Sequence, residues 1–528
     1  MRTTLKDLGI GRFRKTQEVS LGTTGGLNLL TSPEFMGETF ATKLNGFIVR
    51  RKGRIESLKG SLSIYETTDG EPITFLKKYS DTLLVFAHGT KLKSFNLDTQ
   101  AVVTITSSLT ATTKADGGRY GDTMYFTNGV EIGYCDPTTP GFTSLPAQAI
   151  KADAMFFFGG RMYLGKGTQI QWSQVDSGAT IPFITAGEWT VSGSPPTPES
   201  SNSAYSGQFG SINSFGVLGG QVVAFFDNGK LGFRIESVEA GVGLAQSVTT
   251  DFEREDFGGE RGAISTPYGI FYVNEGGLWQ MLSGGSTNQP FSEQDNELSQ
   301  ILGEDLLEDL DLSNSSIVYD IKRNLVIFTA AYLGSINNTL FIYDPQSKAF
   351  SQMSNVYANR IIRDGRDIYI GSSIDTKLLQ LFQGNSNDGN DIPRVFEYEV
   401  PLAVDALYEL NNTTIKGFMS AGNNTEIAYD IYDKFGVKST DFLQLQLTND
   451  IVNATPTGFS SGFTSGFGSV AENEKAEFRA EIDTPITEFS RLIFRIKTRD
   501  KSQYDITWIS LGISQKGEND TNQNLIKI

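Results

Sequence analysis

One cysteine and one histidine in 528 residues set the first limits. Cys135 has no second thiol to pair with, so no intrachain disulfide framework supports the fold, a zinc site built on cysteines is excluded, and assembly in a reducing compartment costs nothing. His88 allows a Ser-His-Asp triad to be built in only one way and allows no multi-histidine metal centre. Long apolar runs are missing as well: stretches such as Ala154–Phe158 fall far short of a membrane span. Met1–Lys15 alternates charged and apolar residues, so a soluble chain without an export signal is expected. No Gly-rich phosphate loop ends in Gly-Lys-Ser/Thr, and no Gly-x-Gly-x-x-Gly follows a strand in a βαβ context. No cofactor, metal or catalytic residue is therefore assigned.

Positive charge is also scarce. The chain has 44 Lys and Arg against 61 Asp and Glu, a net charge of −17. The deficit is uneven, because residues 1–60 hold 11 basic and 5 acidic side chains and are net positive. Residues 251–311 contain 14 carboxylates and only two cations, Arg254 and Arg261. Such a surface repels duplex DNA, whose binding requires cations that displace phosphate counterions. Solubility alone would also account for the acidity.

What is abundant points to strands. Gly at 56 residues, with 36 Phe and 19 Tyr, is the composition of short strands joined by tight turns, and 38% hydrophobic residues suffice for packed cores. About seven related hairpins follow one another. Their first strands begin near Asp81, Gly121, Gly159, Gly220, Gly269, Asn324 and Gly365, and their second strands include Leu92–Phe95, Ile132–Tyr134, Ile170–Trp172 and Leu340–Tyr343. The turn glycines at 89, 129, 167, 229 and 276 lie 40, 38, 62 and 47 residues apart. That is close to the roughly 40 to 50 residues of a four-stranded propeller blade, with one insertion. Tyr134-Cys135-Asp136-Pro137, Tyr343-Asp344-Pro345 and Phe95-Asn96-Leu97-Asp98 supply the turn from a blade's third strand into its fourth.

The fold expected is all-β: a β-propeller of six to seven blades over residues 66–393, with an additional antiparallel β-sandwich or platform domain over 394–528 and an N-terminal platform segment over 1–65. Loop insertions are expected near 192–214, which is rich in Ser, Pro and Gly, and near 292–313. In the second, Leu298, Ile301, Leu302, Leu306 and Leu310 recur at helical spacing, leaving Glu304, Asp305, Glu308, Asp309 and Asp311 as an acidic face. Beyond Arg394 the strands lengthen and alternate, as in Thr425–Tyr432 and Arg491–Ile496. That region carries Gly458-Phe459, Gly462-Phe463 and Gly466-Phe467, three phenylalanines in a stretch too glycine-rich for a regular strand.

Four further features have a functional and a plain reading. Asn385–Asp391 looks like a calcium loop, but its glycine comes one place early and Phe396 stands where a bidentate Glu belongs, so a hairpin turn is expected. Asp251, Glu253, Glu255, Asp256 and Glu260 could serve a propeller glycosidase or form a solvated loop. Trp172 and Trp279 could stack on sugars, but they fit core positions. Arg50, Arg51, Lys52 and Arg54, between Phe47–Val49 and Ile55, read as a hairpin turn or as a docking patch for an acidic neighbour or DNA phosphate.

Thr24-Gly25-Gly26-Leu27-Asn28, Pro33, Lys43-Leu44-Asn45-Gly46-Phe47 and Arg50-Arg51-Lys52-Gly53 together resemble the opening of the tail nozzle proteins of short-tailed bacteriophages, also called tail tubular or hub proteins. Gly160-Arg161-Met162-Tyr163-Leu164-Gly165 followed by Gln169–Ser173 is similar to the recurrent strand pair of that family. The insertions at Ser192–Ser214 and Ser292–Ser313 depart from it.

The resemblance implies a non-enzymatic virion component, assembled in the host bacterial cytoplasm and residing in the virion tail. It further implies a ring of self copies, a hexamer, below the portal and adaptor, with tail fibre or tailspike proteins as neighbours and viral DNA passing through the lumen without specific binding. Arg50, Arg51, Lys52 and Arg54 would then be the docking interface. Glu304, Asp305, Glu308, Asp309 and Asp311 would form an acidic lumen or interface, and Phe459, Phe463 and Phe467 a gate loop. A glycoside-processing propeller enzyme and a carbohydrate-binding adhesin are the alternatives.

Overall fold

The computed structural model describes residues 17–20, 26–27, 40–49, 55–184 apart from 177, 209–239, 244–254, 262–282 apart from 275–276, 295–298, 302, 304–400, 402, 407–420, 425–433, 437–438, 443–447, 475–498 and 504–516. The chain divides into two compact units, one of residues 1–58, 346–353 and 390–528, the other of 59–345 and 354–389.

The second unit is a seven-bladed β-propeller. Blade one runs Ile73–Ser80, Leu83–His88, Lys91–Asn96 and Val102–Thr106, each strand antiparallel to the next. Blade two runs Asp116–Tyr120, Thr123–Thr127, Ile132–Cys135 and Thr143–Ser144. Blade three has Ala154–Phe158, Arg161–Lys166 and Gln169–Trp172. Blade four has Ile212–Leu218, Gln221–Phe226, Lys230–Glu239 and Leu244–Arg254. Blade five has Gly262–Thr266, Gly269–Asn274, Gly277–Met281 and Asp295–Glu297. Ile317–Asp320, Leu325–Tyr332 and Thr339–Asp344 belong to blade six. Blade seven begins with Ala358–Asp364, Asp367–Ser372 and Lys377–Leu381.

The first strands of the blades adjoin one another in chain order, and that of blade seven lies against that of blade one, so the circle is complete. The hairpins legible in the sequence are the second and third strands of every blade. Second strands such as Leu83–His88 and Gln221–Phe226 are buried along their whole length. They are covered on both faces, which calls for unbroken apolar runs rather than alternation.

Aromatic wedges fill the spaces between blades. Phe75, Val85 and Phe126 meet between blades one and two. Tyr125, Met162 and Leu164 meet between two and three, and Tyr163, Phe215 and Phe226 between three and four. Phe225, Ile270 and Tyr272 pack between blades four and five. Between seven and one lie Ile73, Phe86, Tyr369 and Leu378.

The fourth strand of blade seven is Ser61–Glu66, antiparallel to Lys377–Leu381 in the register Ser61↔Leu381 and Tyr65↔Leu378. The boundary expected at residue 65 places this strand in the N-terminal segment; it belongs instead to the propeller unit, which starts at Lys59. No local pattern marks it, because its partner lies more than 300 residues away.

The expected insertions also contain blade strands. Ile212–Ser214 opens blade four, and Asp295–Glu297 closes blade five. Among the described residues the acidic helix spans Glu304–Glu308; Leu310–Asp311 is a short strand beside Tyr332 and Ala331, so Asp311 is not on the helix face. The third-to-fourth-strand turns are held by side chains. Asp136 Oδ1 accepts the Thr138 N–H at 2.9 Å, and Asn96 Oδ1 accepts the N–H groups of Asp98 and Thr99 at 3.0 and 2.9 Å.

The other unit is an antiparallel sandwich. One sheet orders Lys475–Phe489, Leu407–Ser420, Tyr504–Lys516, Ile55–Ser57 and Phe47–Val49, with Gln17–Ser20 also on Tyr504–Lys516. The other includes Lys43–Asn45, Arg394–Glu399, Arg491–Thr498, Thr425–Tyr432 and Leu443–Leu447. The Tyr429 hydroxyl reaches from this second sheet to Thr413 Oγ1 on the first at 2.8 Å, both side chains being buried. N-terminal strands thus pair with C-terminal ones in both sheets. Gly46 makes this possible: its φ is +72°, and a Cβ there would stand 2.9 Å from the Pro393 carbonyl oxygen.

The wedge between blades seven and one should dominate propeller stability. Phe86→Ala removes a fully buried ring and is expected to cost about 3–5 kcal/mol. Val102→Ala, at an exposed position, should cost less than about 0.5 kcal/mol. Denaturant unfolding of the two variants checks this; equal midpoints would overturn it.

Candidate functional site

The first strands of the blades start on the face that carries the hairpin turns. Side chains and backbone there fasten the turns of blades two and three to each other and to the blades that follow. Thr127 Oγ1 donates to Ala152 O at 2.6 Å, Lys166 Nζ donates to Gly129 O at 2.8 Å, and the Ile212 N–H donates to Gly167 O at 2.7 Å. On the axis lies a cavity of about 250 Å³, with Lys77, Lys114, Asp116, Asp153, Asn213 and Arg360 among its lining.

The charges around this axis are used to join blades. Lys77 of blade one pairs with Asp116 of blade two at 3.1 Å, and Asp116 Oδ2 also accepts the Met155 N–H of blade three at 2.9 Å. Asp153 pairs with Lys166 of the same blade at 3.2 Å. Ser265 Oγ of blade five donates to Val217 O of blade four at 2.9 Å, and Tyr268 OH donates to Asn324 Oδ1 of blade six at 3.1 Å. The Ile361 N–H of blade seven donates to Ser316 Oγ at 3.2 Å. Asn359 Nδ2 and Arg360 Nε then donate to Ile73 O and Thr74 O of blade one, at 2.7 and 2.8 Å. What this arrangement does chemically is hold neighbouring sheets in register around the axis. Among the described residues, no group of three His, Cys, Asp or Glu side chains is placed to hold a metal ion.

His88 ends the second strand of blade one and is fully buried. Its Nδ1 lies 3.3 Å from Glu71 Oε2, its Nε2 lies 3.7 Å from Asp69 Oδ2, and its ring stacks on Phe86 with centroids 6.0 Å apart. Glu71 belongs to the segment that leads from the closing strand of blade seven into blade one. Its N–H donates to Thr376 Oγ1 at 3.1 Å, and the Thr376 hydroxyl donates to Glu71 O at 2.7 Å. Gly89 turns the chain beside His88 with φ +49°. The histidine is therefore an internal partner at the ring closure, not a group presented to a substrate.

Burial holds the His88 pKa below its ordinary value of 6.5, and Lys93 pushes it the same way, against the upward pull of Glu71 and Asp69. Cys135, buried in blade two, has its thiol pushed up to about 12 by burial and stays protonated.

The residues singled out in the sequence fall apart in space or outside the described residues. Arg50, Arg51, Lys52 and Arg54 lie outside them, although the flanking strands Phe47–Val49 and Ile55–Ser57 pair as a hairpin. Phe459, Phe463 and Phe467 also lie outside them. Asp305, Glu308 and Asp309 are exposed, Asp311 is half-buried, and Glu304 opens the helix. Asp251 and Glu253 sit on Leu244–Arg254, the strand of blade four farthest in pairing order from its axial strand, so they do not ring the channel. Glu255, Asp256 and Glu260 lie outside the described residues.

In the calcium-like segment, Asp388 and Gly389 form a turn with φ of 49° and 86°, and Asp388 Oδ2 accepts from Lys377 Nζ at 2.8 Å. Trp279 is buried, and Trp172 is half-buried against the wedge of blades three and four. The axial group of Lys77, Asp116, Asp153 and Arg360 was not singled out in the sequence. Its members are spread over nearly 300 residues with no shared spacing, and only ring closure gathers them.

No protein-family model matches the chain, and no curated protein matches it. Among solved structures, the extracellular domain of a hybrid two-component system of B. thetaiotaomicron matches at 11% identity over 61% of this chain and 39% of that one, with a TM-score of 0.41. BamB from Moraxella catarrhalis matches at 11% identity over 69% of this chain and 96% of that one, with a TM-score of 0.37. A chain of a mitotic checkpoint complex matches at 11% identity over 62% and 96%, with a TM-score of 0.39. The chain thus spans well under half of the first of these. The likenesses are of backbone alone, at identities that carry no activity across.

A depressed histidine pKa means that the unfolded chain takes up a proton which the fold refuses. His88 should therefore cost the propeller nothing above about pH 6.5 and destabilise it progressively as the pH falls below that value. The Asp69 carboxyl, held low by its hydrogen bond to Lys91, loses its contribution only as the pH falls below its ordinary 3.8. Thermal unfolding from pH 7.5 to 5 should show a falling Tm that flattens in His88→Gln; parallel profiles would remove this assignment.

Proposed function

We propose that the chain is a structural component of the tail of a short-tailed bacteriophage, a nozzle subunit that closes with copies of itself into a ring-shaped conduit for DNA retention and ejection. The observation that carries this reading is the sequence likeness at Lys43–Phe47, residues that form a strand, the Gly46 turn and the start of the next strand inside the sandwich unit. That unit takes strands from both ends of the chain, which suits a platform that must resist being pulled apart. The propeller is compatible with the same reading: its single histidine is fully buried beside the ring closure, and Lys77, Asp116 and Arg360 near the axis bond neighbouring blades.

On this reading six copies form the ring, related by a heterologous contact that closes by rotation. Arg50, Arg51, Lys52 and Arg54 dock on a tail adaptor or on an acidic neighbour. Phe459, Phe463 and Phe467 narrow the passage before infection. A net charge of −17 on every copy lowers adhesion to DNA moving through the lumen. Tail fibre or tailspike proteins are the outer partners, and the site of action is the virion tail. The glycosidase and adhesin readings are weaker, because Asp251 and Glu253 lie on an outer strand and Trp279 is packed in a core.

Mass measurement and negatively stained images of the purified protein, alone and with tail complexes, test the proposal. Sixfold rings that join the tail are expected. A monomer absent from assembled tails, or sugar release from host glycans that is lost in Asp251→Asn, would overturn it. Arg50→Glu, Arg51→Glu and Arg54→Glu together should weaken docking at least tenfold; unchanged tail assembly would remove the role given to that cluster.

A further inference from the structure

The axial cavity of about 250 Å³ is walled by residues from all seven blades, and the bonds between blades do not use all of its polar groups. Ser214 Oγ, in the wall contributed by blade four, is shielded from solvent and has no hydrogen-bond partner. A buried hydroxyl left in that state calls for a ligand or ordered water to complete it. Ser316 Oγ, at the start of blade six, accepts the Ile361 N–H at 3.2 Å, and among the described residues no acceptor takes its proton. Lys114, exposed where the chain enters blade two, forms no ion pair among the described residues.

The strands around the cavity are also irregular where it needs them to be. Those of blades one, four and seven each carry a bulge, which leaves Thr74, Asn213 and Asn359 as extra residues in the pairing. Bulges re-aim the side chains beside them and are frequent next to active sites. The residues that follow the bulges in blades four and seven are Ser214 and Arg360, both in the cavity wall. Arg360 Nε and Nη1 donate to Thr74 O and Asn359 O, each at 2.8 Å, contacts that orient the guanidinium. The wall holds three cations, Lys77, Lys114 and Arg360, against two carboxylates, Asp116 and Asp153. Both carboxylates are already engaged, by Lys77 and by Lys166. The cavity is thus locally positive in a chain of net charge −17, and a recess with low-dielectric walls concentrates that field.

We propose that the axial cavity binds a small phosphate monoester, with Lys114 at its mouth, Ser214 and Ser316 donating from their hydroxyls, and Arg360 completing the cradle. The donors come from blades two, four, six and seven, and a tetrahedral phosphate offers three terminal oxygens in different directions, whereas a carboxylate offers two in one plane. The volume corresponds to about eight waters at roughly 30 Å³ each, more than inorganic phosphate fills and enough for an ester of a few carbons. All of these residues belong to the propeller unit, and the inference does not depend on the nozzle reading.

Calorimetric titration of the full-length protein with glycerol 3-phosphate, in a buffer free of other oxyanions, tests the proposal. Saturable binding of one molecule per chain is expected, together with a rise in Tm that sodium chloride of equal ionic strength does not reproduce. Affinity should fall at least tenfold in Lys114→Gln and at least threefold in Ser214→Ala. Lys114 is exposed and Ser214 Oγ has no partner, so neither substitution removes a bond of the fold; an unchanged Tm without ligand verifies this. Lys322→Gln, which removes an exposed cation outside the cavity wall, should bind as the natural chain does. Inorganic phosphate should compete more weakly than the ester, and acetate more weakly still. No saturable binding, equal losses in Lys322→Gln, or an affinity indifferent to both Lys114→Gln and Ser214→Ala would overturn the proposal. Acetate or inorganic phosphate binding as tightly as the ester would overturn the ligand class assigned.

Discussion

The antiparallel pairing of Ser61–Glu66 with Lys377–Leu381 is the contact on which the propeller depends. Each blade buries its faces only against its two neighbours, so an open row of seven would leave two aromatic faces in water. Closing the circle covers the last pair, with Ile73, Phe86, Tyr369 and Leu378 packed between blades seven and one. The closing strand also brings Glu71 to His88 and to Thr376, so a buried histidine and a threonine become part of the seam. Burial of that histidine links the seam to pH.

Electrostatics in this molecule have two separate roles. Near the axis, Lys77 with Asp116 and Arg360 with Thr74 O join neighbouring blades, while Asp153 and Lys166 pair within blade three. On the rim at blade six, Asp305, Glu308 and Asp309 form no such pairs among the described residues. Charges of the first kind serve stability and register, whereas those of the second kind are available to another surface.

The sandwich unit follows a different rule. Its neighbouring strands are tied across one sheet by charged side chains: Arg495 bonds Glu397 at 2.7 Å and Asp430 at 3.1 Å, while Arg491 grips Glu399. Placing Lys43–Asn45 beside these C-terminal strands joins the two ends of the chain in one sheet.

Local chemistry determined much of this protein before any packing was considered. The tight turns at Gly89 and Gly129, the side-chain-bonded turns at Asn96 and Asp136, and the unbroken apolar second strands are short-range features, and they specify seven hairpins and an all-β chain. The strands Thr425–Tyr432 and Arg491–Thr498 are readable for the same reason, since alternation with period two is written in consecutive residues. Tertiary structure alone decided what depends on distant partners. The axial strands carry Gly117, Gly216 and Gly262 and so show no strong pattern. The closing strand pairs across more than 300 residues, and Leu310–Asp311 left the helical spacing it shares because Tyr332 and Ala331 offered backbone partners. The axial charges come together only when turns far apart in the chain meet on one face, and no spacing along the sequence encodes that meeting.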